Sequence, residues 1–496
     1  MFSSRPPSSW LVRLPHHLRP LCYGQLAQAR SFSRSARNLA SEPELYDVVC
    51  VGGGPAGLSL AAGLKASPIA SNLKVALVES LDLSKTKLDN SSPTRYSNRC
   101  SSLTPASVRF LQEAGVWEHV DQARVQPYQA MQVWDGITGS RISFDWAQAA
   151  GGARPVGSRT IAYMIENLNL TTALQKRLAE LGGVDVISPV KVDSIEFGKD
   201  TPALDLRSWP ILTLSNGDRL GARLLVGADG ANSPVRNFAG IESRGWDYGR
   251  MGVVATIQLE GEGWGGSEHK IAYQRFLPTG PVAMLPLPGN MATLVWSTLP
   301  DRAMKLKQLK PDDFCAMVNA AFRLSMVDID YMHTISEGQR DEFDWRMQHT
   351  ATNEQDLPMR VVGVQEGTVA PFPLKLRHAD SYVMERIALV GDAAHTIHPL
   401  AGQGLNQGQA DVASLVKVIE DAVESGADIG SQISLERYNS ERYAANNAML
   451  GVCDKLHKLY SFKSGPIVPL RSLGLQAVDK LSFLKGFLMS RAAGGA

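Results

Sequence analysis

Three glycines spaced as G-x-G-x-x-G, in Gly52-Gly53-Gly54-Pro55-Ala56-Gly57, form a pattern suited to cradling a pyrophosphate. The first permits a tight turn, the second lets backbone approach phosphate oxygens, and the third lets a helix pack closely on its strand. N–H groups at the start of that helix favour the anion. Twenty-two residues beyond Gly57, Glu79 stands where a carboxylate accepts hydrogen bonds from an adenosine ribose, and its charge disfavours a 2′-phosphate there. Two later stretches also put a carboxylate beside glycine: Asp229-Gly230, and Gly391-Asp392. The second leads into His398-Pro399-Leu400-Ala401-Gly402-Gln403-Gly404-Leu405-Asn406. There Gly402 and Gly404 allow backbone to lie flat against a planar ring. A helix starting at that point aims about half a positive charge at the ring. The chemistry these residues suit is the holding of an ADP-containing cofactor.

The elements that must position them are legible in order. Residues 46–51 are apolar and β-branched, a short buried strand. Residues 58–65 form a helix with Leu60, Ala61 and Leu64 free to pack, and 74–78 form a second strand that ends at Glu79. A lone glycine motif is weak, whereas strand, glycines, helix, strand and terminal acid together are strong. Residues 224–236 give strand, turn and helix start around Asp229, and 386–390 give another apolar strand before Asp392. A helix then runs to about Val423.

Other groups invite a chemical role and a plainer one. His395 and His398 stand three apart, but Pro399 breaks any helix that would align them and no third ligand accompanies them, so packing or a loop role outweighs metal binding. Tyr273, Phe276 and Trp296 lie in alternating strands and suit a sheet core as well as a substrate wall. Of the five cysteines, Cys22, Cys50, Cys100, Cys315 and Cys453, none makes a C-x-x-C pair, which argues against a zinc site or disulfide framework. Cys50 reads as a small buried hydrophobe. No residue stands out as an acid, base or nucleophile.

With 496 residues, 44% hydrophobic and 20% charged, the chain has material for two or more packed units and excludes a disordered or disulfide-stapled protein. A formal charge of +1 makes no general case for nucleic acid. Residues 1–40 carry six arginines and no acid, leaving 44 basic against 49 acidic residues in the rest. This Arg- and Ser-rich composition is that of a mitochondrial presequence, with a basic arm as the plainer alternative. No stretch has the roughly 18–20 apolar residues of a membrane-spanning helix. Near the C-terminus, Leu470, Leu473, Ala477, Leu481, Leu484 and Leu488 follow one helical stripe, with Arg471, Lys480, Lys485 and Arg491 adding charge. Such a stripe suits a membrane interface, a partner, or the protein's own body.

The G-x-G-x-x-G, Asp-Gly and Gly-Asp stretches together resemble the class A flavoprotein aromatic hydroxylases. The run from His398 through Asn406 to Gly408 and Asp411 is similar to the ubiquinone-biosynthesis subfamily. So are Tyr96-Ser97-Asn98-Arg99, Ala162–Asn167, Phe276–Pro281 and Phe372-Pro373-Leu374. With the presequence, the chain resembles the mitochondrial members that hydroxylate ring position 5 of a 3-polyprenyl-4-hydroxybenzoate-type precursor. The resemblance covers about residues 45–490. It implies an α/β, p-hydroxybenzoate-hydroxylase-like FAD-binding fold with a β-sheet substrate domain and a C-terminal helical tail. The expected FAD unit spans 45–130, 159–240 and 375–455, the substrate unit 131–158 and 241–374, and the tail 456–496. The resemblance implies FAD as cofactor, with O2 activated as a flavin 4a-hydroperoxide. It places Gly52, Gly54, Gly57, Glu79, Arg99, Asp229, Gly230, Gly391, Asp392, Gly402, Gly404 and Asn406 at the cofactor, with Pro399, Gly402, Gln403 and Gly404 facing the flavin. It further implies electrons from a ferredoxin and its reductase, a coenzyme Q biosynthetic complex, and a peripheral site on the matrix side of the inner membrane. Two alternatives stay open: a hydroxylase of another phenolic or kynurenine-type substrate, and a non-catalytic lipid-binding or scaffold protein of the same fold.

Overall fold

Val48, Val49 and Cys50 are shut away from solvent, so the strand Glu44–Val51 is buried on both faces, as the interior of a parallel sheet requires. The computed structural model describes residues 42–86, 88, 94–145, 160–202, 204–262, 270–398 and 402–480. The chain divides into two units, Met1–Pro43 and Glu44–Ala496, and the presequence expected over 1–40 lies outside the described residues.

Glu44–Val51 is flanked in parallel by Val75–Val78 and Arg219–Gly227. Val184–Ile187 continues the sheet beyond the first of these, and Ile387–Leu389 beyond the second. Pro55 opens the helix Pro55–Ala66, where its fixed φ suits the first turn and its missing N–H costs nothing. Leu58, Leu60, Ala61 and Leu64 of that helix share one core with Leu170, Leu174, Val412, Leu415 and Ile419. Those residues come from Asn167–Leu181 and Gln403–Glu424.

A second sheet is built around the 17-residue strand Ser243–Leu259, which pairs with Ala370–Ala379 and Met291–Thr298. Gly280–Pro286, Ile271–Leu277, Ala130–Asp135 and Arg141–Asp145 extend it in turn. Successive side chains point to opposite faces. Trp134, Leu277 and Trp296 therefore sit under a helical layer of Pro300–Gln308, Pro311–Arg323, Met326–Met332 and Gln339–His349. Val133 and Phe276 meet the other face, covered by the long helix Gln432–Ser461 and the terminal helix Ile467–Lys480. This settles the strand aromatics as core: Trp296 is 1% exposed, Phe276 stacks on Tyr460 at 4.0 Å between rings, and Tyr273 packs on the helix-covered core. A three-stranded sheet, Cys100–Leu103 and Gln126–Tyr128 on either side of Ala162–Glu166, completes the strands that bear on the site.

The terminal helix corrects one expectation. Arg471 is no surface charge; its guanidinium is buried against Asp135, with Nε and Nη2 donating at 2.8 and 3.0 Å to the carboxylate. Its Nη1 donates to the Leu459 and Phe462 carbonyls. Leu475 and Val478 pack inward on the same side. Leu470 and Leu473 point outward, 68% and 63% exposed. Leu481, Leu484, Lys485, Leu488 and Arg491 lie outside the described residues, as does the Lys480 side chain.

Candidate functional site

The three small-residue loops converge because each follows a strand of the parallel sheet. A Cβ on Gly52, which adopts φ +113°, would lie 2.3 Å from the Ala228 carbonyl oxygen, so the first loop and the Asp229 loop are in contact. A Cβ on Gly57 would lie 1.9 Å from the Gly52 carbonyl oxygen, which is why this helix can start so close to its strand. Gly54 has nothing within 4 Å on its Cβ side, the open approach a pyrophosphate needs. Cys50 lies beneath this turn, where burial pushes its thiol up, away from reactivity.

Glu79 folds back on the glycine loop. One carboxylate oxygen accepts from the Gly53 N–H at 2.6 Å and the other from the Leu81 N–H at 2.7 Å. It therefore ties down the glycine loop while keeping lone pairs free. Asp229 accepts from the Val235 N–H at 3.2 Å through Oδ2, while its buried Oδ1 has no partner. Burial pushes its carboxyl up. Gly230, with φ +84°, turns the chain into the short helix Pro234–Phe238.

Gly391-Asp392 forms the third loop. Gly391 adopts φ +59°, and a Cβ there would touch Ala56 and Gly408, so this turn nestles between the helices Pro55–Ala66 and Gln403–Glu424. The Asp392 side chain is exposed, without a hydrogen bond among the described residues, yet enough protein surrounds it that burial raises its carboxyl, with His395 pulling it back. Arg236 ties two loops together, donating at 2.8 Å to the Ala393 carbonyl and at 2.8 Å to the Ala231 carbonyl.

Gly402, at φ +60°, precedes the 22-residue helix Gln403–Glu424, which has no side-chain cap. Its leading N–H groups are thus available to an anion. Gly404 lies beside Ile397, and Gln403 is buried. Asn406 does a different job from the one expected of it. Its Oδ1 accepts from the Thr104 N–H at 2.9 Å and the Ser107 hydroxyl at 2.8 Å. Its Nδ2 donates to the Ser102 carbonyl at 2.7 Å and, more weakly, to that of Gly402. The amide straps the strand Cys100–Leu103 to the helix start. Arg99 precedes that strand with an exposed side chain, on a loop positioned by Glu166, which accepts from the Ser97 N–H at 2.6 Å and pairs with buried Arg124. Pro399 lies outside the described residues.

The two histidines diverge. His395 Nε2 is 2.6 Å from Asp411, whereas His398 is fully buried beside Tyr248 and His457, with both nitrogens unpartnered and burial pushing its pKa down to about 3. Among the described residues no three His, Cys, Asp or Glu side chains are grouped to hold a metal ion. The residues sequence reasoning passed over are those that hold the loops: Arg236, Asp411, Arg442 and Asn446. Arg236 and Asp411 sit inside the quoted motifs, but only their three-dimensional partners reveal the work they do.

This donor set fits a dinucleotide: a glycine cradle, an orphaned Asp229 oxygen, an unengaged, exposed Asp392 and an uncapped helix start. Residues 45–451 match the FAD binding domain family. The chain is 43% identical over 482 residues to "Ubiquinone biosynthesis monooxygenase COQ6, mitochondrial" of Saccharomyces cerevisiae, covering 92% of this chain and 95% of that one. It belongs to the FAD-dependent ubiquinone biosynthesis monooxygenases. The member from Homo sapiens is 36% identical over 92% of this chain and 94% of its own. Among solved structures, p-nitrophenol 4-monooxygenase from Pseudomonas putida superposes with a TM-score of 0.65 at 18% identity, covering 92% of this chain and 99% of that one. The probable FAD-dependent monooxygenase PqsL from Pseudomonas aeruginosa gives 0.62 at 19%, covering 88% and 100%. Both share the fold, which is that of the FAD-dependent aromatic hydroxylases. FAD is the cofactor.

Proposed function

We propose that this monooxygenase hydroxylates ring position 5 of a 3-polyprenyl-4-hydroxybenzoate-type precursor of ubiquinone. The observation that carries it is the convergence of all three cofactor loops in a chain 43% identical, almost end to end, to a ubiquinone biosynthesis monooxygenase. Bound FAD supplies the oxygen-activating chemistry, and the protein supplies position and electrostatics. In this reading Gly52, Gly54 and Gly57 take the pyrophosphate, Glu79 the adenosine ribose and Asp392 the ribityl hydroxyls. Asp229 and Gly230 line the pyrophosphate side, Arg99 closes on the cofactor, and Gly402, Gln403 and Gly404 present helix N–H groups to the flavin ring. The FAD unit is drawn from 45–130, 159–240 and 375–455, and the substrate unit from 131–158 and 241–374.

Extracts of cells lacking this protein test the reading. The expected result is loss of ubiquinone with accumulation of a prenylated ring missing one hydroxyl, reversed when the protein is restored. Normal ubiquinone would sink the substrate assignment and favour a different phenol. Purified protein that stays colourless in excess FAD would favour the non-catalytic alternative.

Family membership places the protein in mitochondria. The finer placement proposed is the matrix face of the inner membrane, with electrons from a ferredoxin and its reductase and work within a coenzyme Q biosynthetic complex. Among the described residues no helix is long and apolar enough to cross a membrane. What supports surface contact is one face around the terminal helix. Phe462, Leu470 and Leu473 are exposed, and Lys463, next to Phe462 in the chain, lines a groove of about 270 Å³ with Ile137 and Val327. Lys455 and Lys458 add charge nearby, while Asp454 is paired with Lys458. Leu470→Glu with Leu473→Glu should cut binding to vesicles containing anionic phospholipid by about tenfold or more, from the lost burial of two leucines. Flotation that matches the unmodified protein would remove this face from the proposal.

A further inference from the structure

Asp411 lies on the helix Gln403–Glu424, nineteen residues beyond Asp392 and completely shut off from solvent. An isolated carboxylate there would be costly, and this one is fully engaged. Its Oδ2 accepts from the Gly391 N–H at 3.1 Å and lies 2.6 Å from His395 Nε2. Its Oδ1 accepts from Arg442 Nε at 2.9 Å and from Asn446 Nδ2 at 2.9 Å. The Arg442 Nη2 also donates to the Asn446 and Gln407 side-chain oxygens, which fixes the guanidinium against both helices.

We infer that Asp411 is the positioning residue of the cofactor site: it holds the Gly391-Asp392 turn in its cofactor-accepting form, and Arg442 and Asn446 of the helix Gln432–Ser461 hold Asp411. The inference rests on the reading of Asp392 as the ribityl contact. The Gly391 N–H reaches Asp411 while Gly391 adopts its left-handed φ of +59°, and Asp392 follows directly with its side chain exposed. The same carboxylate orients His395, whose ring lowers the carboxyls of both Asp392 and Asp411. Burial alone would raise Asp411; His395 and Arg442 outweigh it and hold it low. A helix that contributes none of the three small-residue loops thereby sets the geometry of the cofactor loop through two side chains.

The test uses the full chain, stripped of flavin and titrated with FAD, following flavin fluorescence and the visible flavin spectrum. Far-UV circular dichroism and thermal melting of the flavin-free protein run alongside. Asp411→Asn should weaken FAD binding about tenfold or more. At saturating FAD its bound-flavin spectrum should shift toward that of free FAD, with the circular dichroism unchanged. Arg442→Met should give a smaller loss of the same kind, and the double variant should bind no worse than Asp411→Asn alone, because both act through one carboxylate. FAD affinity and spectrum unaltered in Asp411→Asn, with only the melting temperature reduced, would overturn the inference and leave Asp411 a structural clamp. Should Asp411→Asn fail to fold, Arg442→Met and Asn446→Ala carry the same test from the helix Gln432–Ser461. Asp392→Ala separates the two levels. Flavin retained there removes the underlying reading, whereas flavin lost there but kept in Asp411→Asn removes only this inference.

Discussion

Replacing Asp392 with alanine should weaken FAD binding about 100-fold, roughly 3 kcal/mol, while the chain stays folded. That size corresponds to losing two hydrogen bonds from ribityl hydroxyls to an ionised acceptor, at about 1.5 kcal/mol each. Asp392→Asn adds a sharper signature. Burial raises the Asp392 carboxyl in the flavin-free fold, so the folded state keeps its proton to higher pH than the unfolded chain does. The stability linked to this group is fully present below its unfolded pKa, about 4, and is lost as pH rises through the folded value. At neutral pH the flavin-free protein therefore carries a charge its fold disfavours. Asp392→Asn should melt higher than the unmodified protein at pH 7, match it near pH 4, and bind FAD more weakly at pH 7. This is the exchange of stability for function expected at a binding site. Melting curves at the two pH values, with FAD titrations, check it. Asn and Asp forms melting together at pH 7 would show that the fold does not disfavour the Asp392 charge, and alanine retaining flavin would show that the carboxylate does not face the cofactor.

Arg471→Met should cost about 3–5 kcal/mol, because it leaves the Asp135 carboxylate buried without its counter-charge. Among the described residues Asp135 would retain only the Ile137 N–H and the Thr138 hydroxyl as donors. The loss should appear first as release of the terminal helix, read as early proteolytic cleavage between Ser461 and Ile467, before the main unfolding transition. Neutralising the stranded group should recover much of it: Asp135→Asn with Arg471→Met is expected to be clearly more stable than Arg471→Met alone. A single variant within about 1 kcal/mol of the parent in a denaturant titration would mean that water reaches this pair.

The parallel sheet and its loops were legible because their signals are local. Residues 46–51, 58–65, 74–78 and 386–390 carry strand or helix patterns within a few positions of the elements observed. Gly52 and Gly391 announce their turns by being the residue type those conformations favour, and Gly57 announces the close approach of helix to strand. The helical layer from Pro300 to His349 went unread, since its helices are short and its partners, Trp134, Leu277 and Trp296, come from strands far away in the chain. Arg471 was misjudged for a related reason. On a helical stripe a basic residue reads as surface charge, and nothing near it in sequence reveals that Asp135, 336 positions earlier, waits inside. Asn406 and Asp411 show the same limit within the site itself. Their motifs were visible, but hydrogen bonds to Thr104, Ser102, Gly391 and Arg442 decide whether such residues face a ligand or brace the loop that does.

The parallel sheet that opens with Glu44 is not finished until Ile387–Leu389 docks beside Arg219–Gly227. Until more than three-quarters of the chain is in place, the strand Arg219–Gly227 has an open flank and the third cofactor loop does not exist. Pairings of such long sequence separation form slowly. A protein delivered to its compartment as an unfolded thread would pass through this half-built state on each delivery, with apolar strand surface bare. On the proposed site FAD would bind only once the last strand is in, and it would then withdraw the completed form from the equilibrium by mass action. Flavin supply should consequently govern how much of this protein survives in the cell, as well as how much of it is active.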